Sequence, residues 1–253
     1  YEKSEQVITY YLLAALSLAT DQFRQTETLR TLLARGFRSP CSVDESVRHV
    51  ANHGWGGLRY EAQICPSDEQ RKAIQANGGA IPIAYLREMI AQQKPRIRFE
   101  SPTHLDAFIG DQGPLIDGGG EVGLGFEAKF TSDIDSHTTY SPHRNQLIRN
   151  IEVGNGRFAR FYFVLIAPRM YFERRSRFYV YKADEYRGDQ GVAALQRDSL
   201  VRPTDQSAKE WQERFGVLVW EDIVEIVFPG GQPGFDHPDA ADLGDFLRQR
   251  GLL

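Results

Sequence analysis

The chain predicts an α/β fold with a mixed central β-sheet flanked by helices, and three observations carry that expectation. Through the first third, apolar residues recur at three- and four-residue spacing (Val7, Tyr10, Tyr11, Leu13, Leu16, then Leu29, Leu32, Leu33), the period of helices packed by one face. Beyond about residue 95 the period shortens to that of strands, in residues 103–109, 122–131 and 160–167. Helix and strand signals then alternate toward the end, the order of a sheet with helical cover.

Taken in order, residues 4–35 read as helix, with Gly36 as its stop. Ser42 stands three residues before Glu45, the spacing of a capping box, and predicts that a second helix opens there. His53-Gly-Trp-Gly-Gly57 breaks it. Residues 66–80 predict a short helix and a loop, and 83–93 another helix, ended by Pro95. Strands are expected at 103–109 and 122–131, joined by a glycine-rich turn over 110–120. Ser141 followed by Pro142 has the pattern of an N-cap and first helical residue, predicting a helix to about Val153 that Gly154-Asn-Gly156 closes. Residues 160–167, nearly all apolar, predict a central strand, and 177–181, with Phe178 and Val180 alternating, a fourth. From Ala183 onward helix and strand mix, ending in a short helix at 239–250. Three regions follow: a mainly helical 1–95, a core over 96–182, and an α+β extension over 183–253 that packs on the core.

Composition bounds the function. With 41% hydrophobic and 25% charged residues the chain can bury a real core. No apolar run reaches the roughly 18 residues a membrane span needs, so no membrane partner is expected. The charged start Tyr1-Glu2-Lys3-Ser4 is unlike a signal peptide. Two cysteines, Cys41 and Cys65, are read as free thiols of a reducing cytoplasm, where the protein is expected to reside. The formal net charge is −4, but residues 141–182 hold nine Arg or Lys against two acids, Glu152 and Glu173. That local +7, against −11 for the remainder, suits a polyanion bound in one place.

The chemistry centres on Gly125-Phe-Glu-Ala-Lys-Phe130. Strand alternation sets Glu127 and Lys129 on one face and Phe126, Ala128 and Phe130 on the other. If the strands pair antiparallel about a midpoint between Ile116 and Asp117, Asp106 faces Glu127, and directly opposed Cβ atoms lie about 4.5–5.5 Å apart. Two carboxylates so close repel unless a cation joins them, and a hard divalent ion such as Mg²⁺ takes such oxygen ligands. Asp111 and Asp117 fall in the turn, away from this face. On the following helix Gln146, Arg149 and Asn150 share a polar face.

Together, Thr103-His-Leu-Asp106, Glu127-Ala-Lys129 and Arg144-Asn-Gln146-Leu-Ile-Arg149-Asn resemble the PD-(D/E)xK, or restriction-endonuclease-like, nuclease superfamily over about residues 100–182. Leu105 stands where that pattern often has proline. The resemblance implies a restriction-endonuclease-like core and a Mg²⁺-dependent phosphodiesterase, with Mn²⁺ substituting, that cleaves nucleic acid, DNA before RNA. It implies that Asp106 and Glu127, with the main-chain carbonyl of Ala128, hold the metal. Lys129 and Gln146 complete the catalytic set, and His104, Arg144 and Arg149 contact nucleic acid. Glu61 or Glu88 could supply a further acid. Such nucleases often act as homodimers. A non-catalytic nucleic-acid-binding or assembly module on the same fold, and a nuclease acting on RNA, are the alternatives.

Overall fold

The structure, a computed structural model, describes residues 2–18, 22–53, 58–78, 101–110, 115–138, 141 and 143–253. Three helices come first, α1 (Glu2–Leu18), α2 (Gln22–Gly36) and α3 (Pro40–His53). Strand β1 (Leu58–Ile64) and helix α4 (Asp68–Asn77) follow, then β2 (Thr103–Ile109), β3 (Leu115–Ile116) and β4 (Gly120–Ala128). Helix α5 (Gln146–Asn155) leads to β5 (Phe158–Ala167), and α6 (Arg169–Arg174), α7 (Phe178–Arg187), α8 (Gly191–Asp198) and α9 (Asp205–Glu213) come next. The chain closes with β6 (Phe215–Val219), α10 (Trp220–Val227) and α11 (Ala240–Gln249).

One six-stranded mixed sheet, ordered β3-β1-β2-β4-β5-β6, separates two apolar cores, giving the α/β class that the sequence predicts. Its strands come from all three expected regions. β4, β5 and β6 run parallel, while β2 lies antiparallel between β1 and β4. Alternation along β5 feeds both cores: Tyr162, Val164 and Ile166 join α1, α2, α3, α10 and α11, whereas Phe161, Phe163 and Leu165 join α5, α7, α8 and α9. No described helix is long and apolar enough to cross a membrane.

Alternation breaks at one place, and that place prepares the site. Leu58 and Tyr60 pack on the first core but Ala62 and Ile64 belong to the second; on β2, Leu105 belongs to the second core but Ala107 and Ile109 to the first. Both strands therefore switch faces at Glu61 and Asp106. The register is unbroken across the switch, with Tyr60↔Ala107 on one side and Ala62↔Leu105 on the other, so Glu61 stands opposite Asp106. Glu61 has φ 52°, a left-handed conformation that costs a non-glycine residue energy and re-aims the strand beyond it.

Several local expectations are corrected. Residues 4–35 form two helices rather than one. Helix α3 opens at Pro40, not Ser42; proline suits a first turn, where its missing N–H has no helical partner, and Ser42 instead donates to the Glu213 carbonyl at 2.8 Å. The 110–120 connection is more than a turn, because it carries β3 across to pair parallel with β1. Helix α5 starts at Gln146: Asn145 caps it by accepting from Leu147 N and Ile148 N, while Ser141 bridges back to Thr138. The strand expected at 177–181 is the start of α7, whose Tyr179, Val180, Ala183 and Tyr186 are buried at helical spacing. The strand expected at 122–131 ends at Ala128. The helix expected at 83–93 and the break at 54–57 lie outside the described residues.

Helix α5 is fastened from below by a fully buried carboxylate. Glu152 Oε1 accepts from Ser199 Oγ at 2.9 Å and from the amides of Leu200 and Val201 at 2.8 Å each. Its Oε2 accepts from Arg144 Nε at 2.6 Å, and the Arg144 side chain is 0% exposed. Breaking such a pair from one side leaves a buried charge uncompensated. Arg144→Ala is expected to cost about 3–5 kcal/mol in urea unfolding, whereas Arg174→Ala on the surface is expected to stay within about 0.5 kcal/mol of wild type. Equal melts for the two variants would refute the buried role.

Candidate functional site

The β2–β4 ladder runs Ile109↔Leu124, Phe108↔Gly125 and Ala107↔Phe126, the register centred between Ile116 and Asp117. The next pair is Asp106 and Glu127. There the backbone ladder gives way to a side chain: the Ala128 amide donates to Asp106 Oδ2 at 2.6 Å. Asp106 so holds the end of β4 through its carboxylate, and the two strands part above it.

Glu127 stands at the facing position of β4 and is 2% exposed. Three side chains converge on it. Lys129 Nζ lies 2.8 Å from Oε1, Gln146 Nε2 donates to the same oxygen at 2.7 Å, and Asn150 Nδ2 donates to Oε2 at 2.9 Å. Thr103 Oγ1 in turn hydrogen-bonds Asn150 Oδ1, so a buried chain runs from the start of β2 through α5 to the carboxylate. Gln146 and Asn150 are one helical turn apart, which lets one face of α5 grip both oxygens. Lys129 lies one residue past the strand, yet its backbone is held on both sides, its amide by Ile166 O at 2.8 Å and its carbonyl by Trp220 Nε1 at 2.9 Å.

The two carboxylates are electrostatically coupled. Burial pushes the Asp106 carboxyl up to about 8, the nearby Glu127 charge adds to the rise, and the Ala128 amide and Lys129 oppose it. Glu61 contributes a further, weaker push in the same direction. Among the described residues no three His, Cys, Asp or Glu converge on one point. The donor set is a pair of carboxylates, of the kind that holds Mg²⁺ alongside water and substrate oxygens; a structural zinc site takes four ligands dominated by Cys and His.

The structure thus brings Asp106, Glu127, Lys129 and Gln146 together. Ala128 follows Glu127 at the end of β4, its side chain buried in the first core and its amide on Asp106. The three residues expected to touch nucleic acid fare differently. Arg144 is withdrawn into the Glu152 pair and is corrected to a structural role. Arg149 is half-buried, donating to the carbonyls of Ser101 and Pro102 at 3.0 and 3.2 Å, so it braces the entry to β2. His104 is exposed, but between Thr103 and Leu105, which both face α5, it lies on the opposite side from Asp106; the face switch at Asp106 undoes the parity that would align them. Glu88 lies outside the described residues. Sequence reasoning set Asn150 on the polar face beside Gln146 without giving it a role, and it gave none to Thr103. The spacing of Asn150 from Gln146 was the available signal, and a buried Asn on a helix requires a partner.

Comparison of the chain with family models, curated proteins and solved structures finds no match.

The raised Asp106 pKa has a definite sign for stability. Between the unfolded carboxyl near 4 and the folded one at about 8, the native state binds more protons than the unfolded state, so stability falls as pH rises through that window. In EDTA, Asp106→Asn is expected to gain Tm over wild type, by more at about pH 8.5 than at about pH 5. A Tm difference that does not change with pH would show that Asp106 carries no such penalty.

Proposed function

We propose that the protein is a metal-dependent phosphodiesterase with a restriction-endonuclease-like core that cleaves nucleic acid, DNA foremost. The observation that carries this reading is the convergence of Asp106, Glu127, Lys129 and Gln146 where β2 and β4 part. Asp106 and Glu127 would hold Mg²⁺ or Mn²⁺. An ion held there would supply Lewis acidity toward the phosphate and toward an attacking water.

The chain's own groups account for the rest. Lys129 is an ammonium 2.8 Å from Glu127 and largely shielded from solvent, with a side-chain exposure of 12%; its charge would orient an attacking water and offset the negative charge that grows on the phosphate. Gln146, half-buried at the helix start, would keep Glu127 turned toward the opening and add a donor at the rim. Asn150 acts at one remove, fixing the far oxygen of Glu127, so it is a positioning residue. Asp106, neutral at rest up to about pH 8, would release its proton when a cation arrives.

Supercoiled, linear and single-stranded DNA incubated with Mg²⁺ or Mn²⁺ test the reading. Wild type is expected to cut at least one form, EDTA to stop it, and Lys129→Ala to abolish it. Asn150→Ala is expected to lower activity about 10–100-fold, the range for residues that orient a metal ligand, with the loss partly recovered at higher metal concentration. Intact substrates with retained gel shift would replace this reading with that of a non-catalytic nucleic-acid-binding module. Cutting confined to RNA would move the substrate class, and cutting that survives Lys129→Ala would remove the site.

A further inference from the structure

Most of the basic segment 141–182 is committed to the protein itself. Arg144 and Arg149 are described above, Arg157 donates to the Cys65 and Pro66 carbonyls, Arg160 pairs with Glu45 and Glu121, and Lys182 pairs with Glu185 and Asp198. What remains lies at the elbow between α6 and α7. Residues 169–177 contain four arginines and one acid, Glu173. Arg174 is exposed and has no ion-pair partner among the described residues. Arg169 and Arg175 pair with Asp222 and Asp184, but both arginines stay more than half exposed, at 51% and 62%. Such surface pairs are weak and yield readily to a competing anion.

The same elbow exposes flat and apolar side chains. Tyr181 is 55% and Met170 40% exposed. Tyr181 is three residues from Asp184, so both occupy one face of α7, and Arg175 reaches Asp184 at 2.5 Å. Tyr181 and the Arg175–Asp184 pair therefore lie on the same exposed face of α7. Arg177 lies 4.5 Å over the Tyr171 ring, and its shielded Nε has no hydrogen-bond partner among the described residues.

This elbow is tied to the candidate site. Helix α6 begins directly after β5, whose Ile166 pairs with Ala128 at the end of β4. The loop leaving Lys129 is fastened to α7 by Asp133, whose carboxylate accepts from Phe178 N at 2.7 Å and Tyr179 N at 3.1 Å. Asp133 is four residues from Lys129, so at most about 14 Å of chain separates them.

We propose that the α6–α7 elbow binds a single-stranded stretch of nucleic acid beside the Asp106–Glu127 opening, with phosphates on Arg174 and Arg175 and a base stacked on Tyr181. The proposal rests on the phosphodiesterase reading for its choice of ligand. Phosphate alone would need only the arginines. An exposed ring beside them adds a stacking platform, which unpaired bases can use and duplex bases, already stacked, cannot without opening.

Fluorescence anisotropy of the full chain in EDTA, with a labelled single strand of about 20 nucleotides and a duplex of the same sequence, tests it. Wild type is expected to favour the single strand. Arg174→Ala with Arg175→Ala is expected to weaken it about tenfold or more and to reduce the slope of log affinity on log salt by about 1.4, two phosphates at about 0.7 each. Tyr181→Ala is expected to weaken single-strand binding roughly tenfold and leave duplex binding unchanged. Circular dichroism checks that these surface variants fold. Wild-type affinity in either variant, a preference for duplex, or no binding by wild type overturns the proposal. Cleavage is scored separately: binding through these residues without cutting would leave the surface standing and remove the phosphodiesterase, and cutting with unaltered variants would do the reverse.

Discussion

Everything at the candidate site depends on keeping two carboxylates, Asp106 and Glu127, next to one another where water is largely excluded. Burial and mutual repulsion both oppose that arrangement, and Asp106 records the opposition in a pKa raised to about 8. The fold meets it unequally. Among the described residues Glu127 accepts from Lys129, Gln146 and Asn150, donors that suit an ionised carboxylate, whereas Asp106 accepts from the Ala128 amide. One partner is thus stabilised as an anion and the other is left poised to ionise when positive charge arrives. A pair whose environments push its members apart is the pattern expected of a functional site.

Holding α5 in place follows from that requirement, because two of the three donors to Glu127 sit on its first turns. The helix is anchored at both ends by buried polar groups. At its start, Asn145 caps the free amides and donates to Tyr186 Oη at 2.6 Å, and Tyr186 donates to Asp198 at 2.8 Å, so α7 and α8 are drawn into the same network. Near its other end Glu152 binds Arg144 and the backbone beyond α8. Buried ion pairs contribute little net stability compared with apolar packing, but breaking one from a single side is costly, which ties α5 to its partners. Gly154 shows how close the packing is: a Cβ there would meet the Phe161 ring at 2.2 Å.

The sheet and the charged centre of the site were legible in the sequence because both rest on local periodicity. Alternation in Phe126–Phe130 and the turn midpoint suffice for the register, and the register brings Asp106 to Glu127. What escaped depends on tertiary partners. The capping spacings at Ser42 and Ser141 are sound local signals, but the Ser42 hydroxyl donates to the Glu213 carbonyl and the Ser141 hydroxyl accepts from His143 N in a turn ahead of the helix. Arg144 reads as surface charge until Glu152, eight residues on, is seen to be buried with it. His104 has the parity of Asp106, and only the packing of Leu105 and Ala107 into opposite cores reveals that the faces switch at Asp106. β1 was missed although Leu58-Arg-Tyr-Glu-Ala-Gln-Ile64 alternates apolar and polar residues throughout, so its signal was local and available.

That face switch also marks where the β2–β4 backbone ladder stops, at Ala107↔Phe126. With the strand re-aimed at Asp106, Thr103 and Leu105 turn toward α5 and fill the space beneath the site, while the Asp106 carboxylate takes over the ladder bond that Ala128 would otherwise lack. The cost is a left-handed glutamate opposite an already disfavoured aspartate, two unfavourable features at a single register position. Strain and repulsion concentrated there would be hard to retain in a purely structural sheet, and they coincide with the site proposed above to hold a cation.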